Sequence, residues 1–342
     1  MSSWGTPLLL LAFLAAAGAT WIAGLYLSKA TDVLDVRLEL GDAVGGLLLL
    51  GIAGSLPELA ITVSAVLAGH LSLAVGNLLG GIAMQTLVLV LLDATSRRKQ
   101  PLTSLSDLSP LFESVLVMVL LVIALMGAFL PASTAIGPMS PASLAIVLFF
   151  VLGVFAINRG RRRPAWKLAG DPPPPPREAP NRFKSSSTKL VVGVFVAASA
   201  VTLVAGVMLE QTGNDLADHF GINGVVFGAT ILAAVTALPE ISSGIQAVRL
   251  GDVGLAMSDI YGGNAVQLTF FLLADILHGS PVLPTASDQS LWLAAVGAAM
   301  TGVFAYGLLL RPEKKLWLIG RDSAIVLAMY IAAVCLLPAI PT

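Results

Sequence analysis

The chain has 342 residues, of which 56% are apolar and only 11% charged. Soluble globular domains carry about a quarter charged residues, so this composition excludes an ordinary water-soluble enzyme or binding module and points to a membrane. With 19 basic and 20 acidic residues the formal net charge is −1, which excludes the basic excess of a nucleic-acid binder.

Apolar runs of 18 or more residues recur along the chain, each able to cross a hydrocarbon core of about 30 Å as a helix. We expect an all-α integral membrane protein with ten transmembrane helices, over roughly 8–27, 43–69, 72–95, 111–130, 141–157, 190–209, 222–248, 253–277, 290–310 and 321–340. The first run has no basic residue before it and is too long for a signal-peptide core, so it is kept as a helix. The single cysteine, Cys335, falls in the last run; it can form no intrachain disulfide and is expected to be a small buried hydrophobe.

The basic residues fall on alternate loops: Lys29 and Arg37, then Arg97, Arg98 and Lys99, then nine between Arg159 and Lys189, then Arg249, then Arg311, Lys314, Lys315 and Arg321. The loops between, such as "EQTGNDLADHFGIN" and "HGSPVLPTASDQS", have none. Positive-inside bias therefore places both termini outside the plasma membrane and the central loop in the cytoplasm. That loop, 159–189, contains Pro172 to Pro176, an extended spacer among basic residues, and reads as a tether between a first half, 1–158, and a second, 190–342.

A gapless shift of 182 residues lays "GSLPE" at 54–58 on "TALPE" at 236–240, inside repeats at about 43–95 and 222–277. Leu56, Pro57 and Glu58 fall on Leu238, Pro239 and Glu240; Gly80, Gly81 and Gln85 fall on Gly262, Gly263 and Gln267; Asp93 falls on Asp275. With five spans per half, the second copy is inserted upside down, which is the plan of secondary transporters with a site near the midplane.

A proline inside a helix removes a hydrogen bond and collides with the carbonyl four residues back, here Ala53 for Pro57 and Val235 for Pro239. Carbonyls freed in a bilayer need a partner, and a cation or cavity water can supply it. A carboxylate in mid-span costs at least about 2.5 to 3.5 kcal/mol, so Glu58 and Glu240 are expected to face the interior with a function. Facing each other, they repel unless a cation or shared protons lie between them. Nineteen residues after each glutamate stand Asn77 and Asp259. With the Ser55 and Thr236 hydroxyls and the Ala53 and Val235 carbonyls, the inventory holds only hard oxygen donors, which suit Ca²⁺ or Na⁺ rather than zinc or copper.

"GSLPE" with "GNLLGG", and "TALPE" with "SDIYGGN", resemble the two alpha-repeats of the sodium/calcium exchangers in the calcium/cation antiporter superfamily. The resemblance covers about 40 residues in each half, and the ten-span layout extends it over the chain. It implies alternating access at a central site, with the first and sixth spans sliding against the rest. It also implies Ca²⁺ exchanged for Na⁺, with H⁺ as the alternative, and no cofactor. Glu58 and Glu240 match the paired acids, which would bridge Ca²⁺ with Thr236 and the carbonyls; Asn77 and Asp259 match the residues that would complete or gate monovalent sites. Gly54, Ala237, Ile82 and Ser258 depart from the family pattern. The lost hydroxyls and amide bear on the sodium sites and hence on the counter-ion.

Asp93 and Asp275, at span ends near water, are expected to anchor helix ends, and Gln85 and Gln267 to act as interhelical glue. His70, His219 and His278 are expected as lone surface histidines in outside loops. No histidine lies in a span, and no G-x-S-x-G, P-loop or H-E-x-x-H pattern occurs, so an enzyme is disfavoured. A channel would use rings of like residues, whereas two unlike copies build one off-axis cage here.

Overall fold

A computed structural model describes residues 4–38, 51–162 and 181–341. The polyproline segment and the first part of the predicted 43–69 span lie outside the described residues. Two helices of 33 residues, α1 (Thr6–Leu38) and α6 (Thr188–Phe220), lie side by side. At 1.5 Å per residue each is about 50 Å long, well beyond the hydrocarbon core. The predicted ends at 27 and 209 were therefore too early. Hydropathy reports where the apolar residues stop, whereas α6 stops only where Gly221 takes φ 64°.

The second span is described as α2a (Gly51–Gly54) and α2b (Leu56–Ala68), followed by α3 (Leu71–Thr95), α4 (Ser109–Ala128) and α5 (Pro141–Arg162). In the second half, α7a (Gly224–Thr236) and α7b (Leu238–Leu250) meet at 45°. They are followed by α8 (Val253–His278), α9 (Asp288–Leu310) and α10 (Arg321–Leu336). Among the described residues eight helices are long and apolar enough to cross a bilayer, and the bent pair α7a–α7b makes a ninth. The expected ten is one more than this, because α2a and α2b carry only the described part of their span.

The 182-residue shift holds in three dimensions. It relates both ends of α1 to those of α6, both ends of α2b to those of α7b, the start of α3 to that of α8 and the end of α4 to that of α9. Both α2b and α7b stop on a glycine with positive φ, Gly69 at 80° and Gly251 at 90°. The two halves interlock through small residues: a Cβ on Gly80 would stand 2.2 Å from the Ala229 Cβ, and one on Gly76 would stand 2.9 Å from the Val225 Cα. Only glycine lets α3 and α7a cross this closely.

The repeated aspartates are buried anchors rather than groups near water. Asp93 accepts hydrogen bonds from Leu102 N at 3.0 Å, Gly320 N at 2.6 Å and Ser323 Oγ at 2.7 Å, and pairs with Lys315 Nζ at 3.1 Å. Asp275 accepts from Val282 N at 2.7 Å and Ser140 N at 2.8 Å. Each binds the loop after its own helix and the loop entering the last helix of the other half. Inverted symmetry thus turns one residue type into two ties between the halves.

Three expectations are corrected. Cys335 is exposed, on a face of α10 that also exposes Ile331; on a bilayer-facing surface an apolar side chain has no reason to turn inward. Glu210, assigned to an outside loop, lies on α6 and is fully buried. His70 is not a lone surface group: its Nδ1 lies 2.6 Å from Glu210 Oε1. His219 and His278 also have hydroxyl partners, Thr6 and Ser280, each at 3.0 Å.

Candidate cation site

The prolines act as helix starters. The chain leaves helical form at Ser55 and at Ala237 and restarts at once, so that Pro57 and Pro239 are the second residues of α2b and α7b. A residue there has no intrahelical use for its N–H, so proline is tolerated where mid-helix it would not be. The Ala53 and Val235 carbonyls meet a proline nitrogen, which has no hydrogen to give. Glu58 and Glu240 then stand in the first turns of the new helices, where the helix dipole favours negative charge.

Glu58 is 1% exposed and Glu240 9%. Gln85 Nε2 donates to Glu58 Oε1 at 3.0 Å. The second oxygen of each carboxylate, Oε2, is buried with no hydrogen-bond partner. Thr236 donates to Ala233 O at 3.2 Å and lies beside the Glu58 carboxylate. Glu240 stands within electrostatic reach of both Glu58 and Asp259. Asp259 Oδ2 accepts from Ser243 Oγ at 3.2 Å.

A cavity lined by Ala53, Glu240, Ser243 and Asp259, and by Ser28 and Thr202 of α1 and α6, enters this group. Glu58, Thr236, Val235, Ser55 and Asn77 do not line it, so the cavity reaches the group at Glu240 and Asp259 and stops short of Glu58. Ser55 Oγ instead donates to Gly263 O at 3.4 Å. Asn77 is fully buried in the π-helical turn Gly76–Gly80, with neither amide atom partnered. Its carbonyl and that of Leu78 each accept from Gln267 Nε2 at 3.0 Å. Among the described residues no three carboxylate, imidazole or thiolate groups form a metal cage by themselves.

The sequence reading passed over two residues. Gln85, taken as glue, is the side chain that holds Glu58; its match to Gln267 in the repeat was the available signal. Asn264 is fully buried with both amide atoms unpartnered, one residue beyond the Gly263 carbonyl that Ser55 uses. It closes the quoted "SDIYGGN" string, and its repeat partner is Ile82.

The cavity opens in one direction. Ser28, Ser243 and Asp259 on its wall are half-buried, whereas their repeat partners Glu210, Ile61 and Asn77 are fully buried. Ser28 lies in the half of α1 that ends beside Arg37, and Ser243 in the half of the α7a–α7b pair that bears Arg249, so the opening is on the basic face.

A family model described as sodium/calcium exchanger protein matches residues 8–159 and 190–337. CaxA of Alkalimonas amylolytica is 26% identical over 279 residues, 79% of each chain. The inner membrane protein YrbG of Escherichia coli is 27% identical over 261 residues, 76% of this chain and 74% of its own. The crystal structure of the H⁺/Ca²⁺ exchanger CAX superposes with a TM-score of 0.67 at 16% identity, covering 97% of this chain and 92% of that one. The sodium-calcium exchanger NCX_Mj, soaked with Na⁺ and Sr²⁺, gives a TM-score of 0.63 at 16% identity, covering 97% and 99%. The helical fold is thus shared with exchangers of both coupling types, and the family match spans both halves: the chain is a multi-pass membrane protein that belongs to the sodium/calcium exchanger family.

Proposed function

We propose that this chain is a secondary antiporter that exchanges Ca²⁺ for Na⁺ across the plasma membrane by alternating access. In this reading 1–158 and 190–342 are the two inverted halves, both termini lie outside and the central loop lies in the cytoplasm. The observation that carries it is the pair of repeat-related carboxylates at broken helices, each with an oxygen left without a partner and each in reach of the other's charge. A divalent cation between Glu58 and Glu240 relieves that repulsion, with Thr236 and the Ala53 and Val235 carbonyls adding oxygens. Asp259 and Asn77 complete or gate the monovalent sites, and the Ser55 hydroxyl is a further oxygen donor of the group. Because one cage serves both ions, occupancy by one excludes full occupancy by the other, and that competition couples their movements.

One observation favours H⁺ as the counter-ion in a second reading. A Cβ on Gly54 would stand 3.7 Å from Glu240 Oε1, so the family's hydroxyl position is a glycine where a side chain would face that carboxylate. Ca²⁺ uptake into proteoliposomes loaded with Na⁺, set beside uptake driven by a pH gradient alone, separates the two. Dependence on internal Na⁺ supports the first reading, uptake with protons alone supports the second, and no Ca²⁺ movement in either removes both.

Gln85→Leu tests the hold on Glu58. Losing a hydrogen bond to a carboxylate costs about 1.5 to 3 kcal/mol, so half-saturation by Ca²⁺ should rise by about tenfold or more. Uptake measured over a Ca²⁺ titration checks this; an unchanged half-saturation would mean that Gln85 is only interhelical glue.

A further inference from the structure

Glu210 is a fully buried carboxylate that the cation site does not use. Ser64 Oγ donates to its Oε2 at 2.7 Å, and His70 Nδ1 lies 2.6 Å from its Oε1. Ser64 is on α2b and His70 is in the turn from α2b to α3, so the three residues fasten α6 of the second half to the α2b–α3 hairpin of the first. They do so on the face opposite the cavity mouth.

The 182-residue shift supplies an internal comparison. The partners of Glu210, Ser64 and His70 are Ser28, Gln246 and Asp252. Ser28 lines the open cavity. Asp252 caps its own helix, accepting from Leu255 N at 3.0 Å. Here a carboxylate, an imidazole and a hydroxyl meet only on the closed face, and the corresponding positions on the other face border a cleft and cap a helix.

We propose that Glu210, His70 and Ser64 are positioning residues of a one-sided gate. They hold α6 against α2b, keep the exchanger open toward the basic face, and separate when it opens to the other side. The inference rests on the antiporter reading, since only a protein that alternates needs such a gate.

The test uses the full chain in nanodiscs without added substrate, with Cys335→Ala and Ser28→Cys, so that a water-soluble maleimide reports the cavity mouth. With the gate intact, labelling is fast. Glu210→Gln and His70→Ala should each lower the labelling rate by about threefold or more as the population moves to the other state. Ser64→Ala should lower it less, and it keeps the test open if the other variants do not fold. A purely structural contact would change thermal stability and leave the labelling of the folded fraction unaltered, which would overturn the proposal. Ca²⁺ uptake by the parent chain is scored separately. No uptake by the parent chain would sink the antiporter reading and the gate with it, whereas exchange with unchanged labelling would sink the gate alone.

Discussion

Replacing Glu58 by Gln should abolish Ca²⁺ exchange while the protein still folds, and replacing Glu240 by Gln should do the same. The amide keeps the shape of the side chain and removes its charge. A hydrogen-bonded charge buried opposite another charge is worth about 2 to 5 kcal/mol when lost from one partner, and about 3 kcal/mol is roughly a hundredfold in affinity. Stability moves the other way. Both carboxylates are buried close to each other, and each has an oxygen with no partner. Neutralising one therefore removes repulsion and desolvation cost from the empty site. The expected pattern is loss of uptake with a melting temperature equal to or above that of the parent, measured on the same preparation. Full uptake in either variant would end the assignment of the pair as the Ca²⁺ bridge. A fall in melting temperature of many degrees would recast the lost carboxylate as a structural one.

The repeat was the most legible part of the chain, because an inverted duplication preserves spacing. One shift aligned the prolines, the glutamates and the aspartates, and the same shift relates the ends of α1 and α6. The lengths of those two helices were not legible, since polar residues such as Lys29 and Asp215 extend a helix past the bilayer without interrupting it. Within the proposed site, residue type pointed to Glu58 and Glu240, because a carboxylate in mid-span is costly wherever it points. It could not rank Gln85 against Asn77. A buried amide is cheap enough to serve as glue, and only the packing of α3 on α2b shows which one meets the carboxylate. The Glu210–His70 contact was hidden for another reason. Its members stand 140 positions apart, and each looks ordinary in its own neighbourhood.

Asp93→Asn should be among the most destabilising single changes in the fold. The Asp93 carboxylate is fully buried, holds two backbone N–H groups and the Ser323 hydroxyl, and faces Lys315, whose side chain is only 6% exposed. Lys315 Nζ also donates to the carbonyls of Asp93 and Ser96, so the ammonium cannot leave without breaking the loop that enters α10. Asparagine leaves that charge buried without its counter-charge, and breaking a buried pair from one side costs about 3 to 5 kcal/mol. Asp275→Asn removes the charge from a site with two backbone donors; its cost should be nearer the 1 to 3 kcal/mol of a weakened buried hydrogen bond, or about that range. Thermal unfolding of the purified variants should therefore rank Asp93→Asn below Asp275→Asn. Adding Lys315→Met to Asp93→Asn should recover part of the loss, because the uncompensated ammonium goes with it and the two effects are coupled through one contact. If the double variant is as unstable as the two single losses added together, the ion pair is not the source of the stability, and the backbone hydrogen bonds to Leu102 and Gly320 must carry it instead.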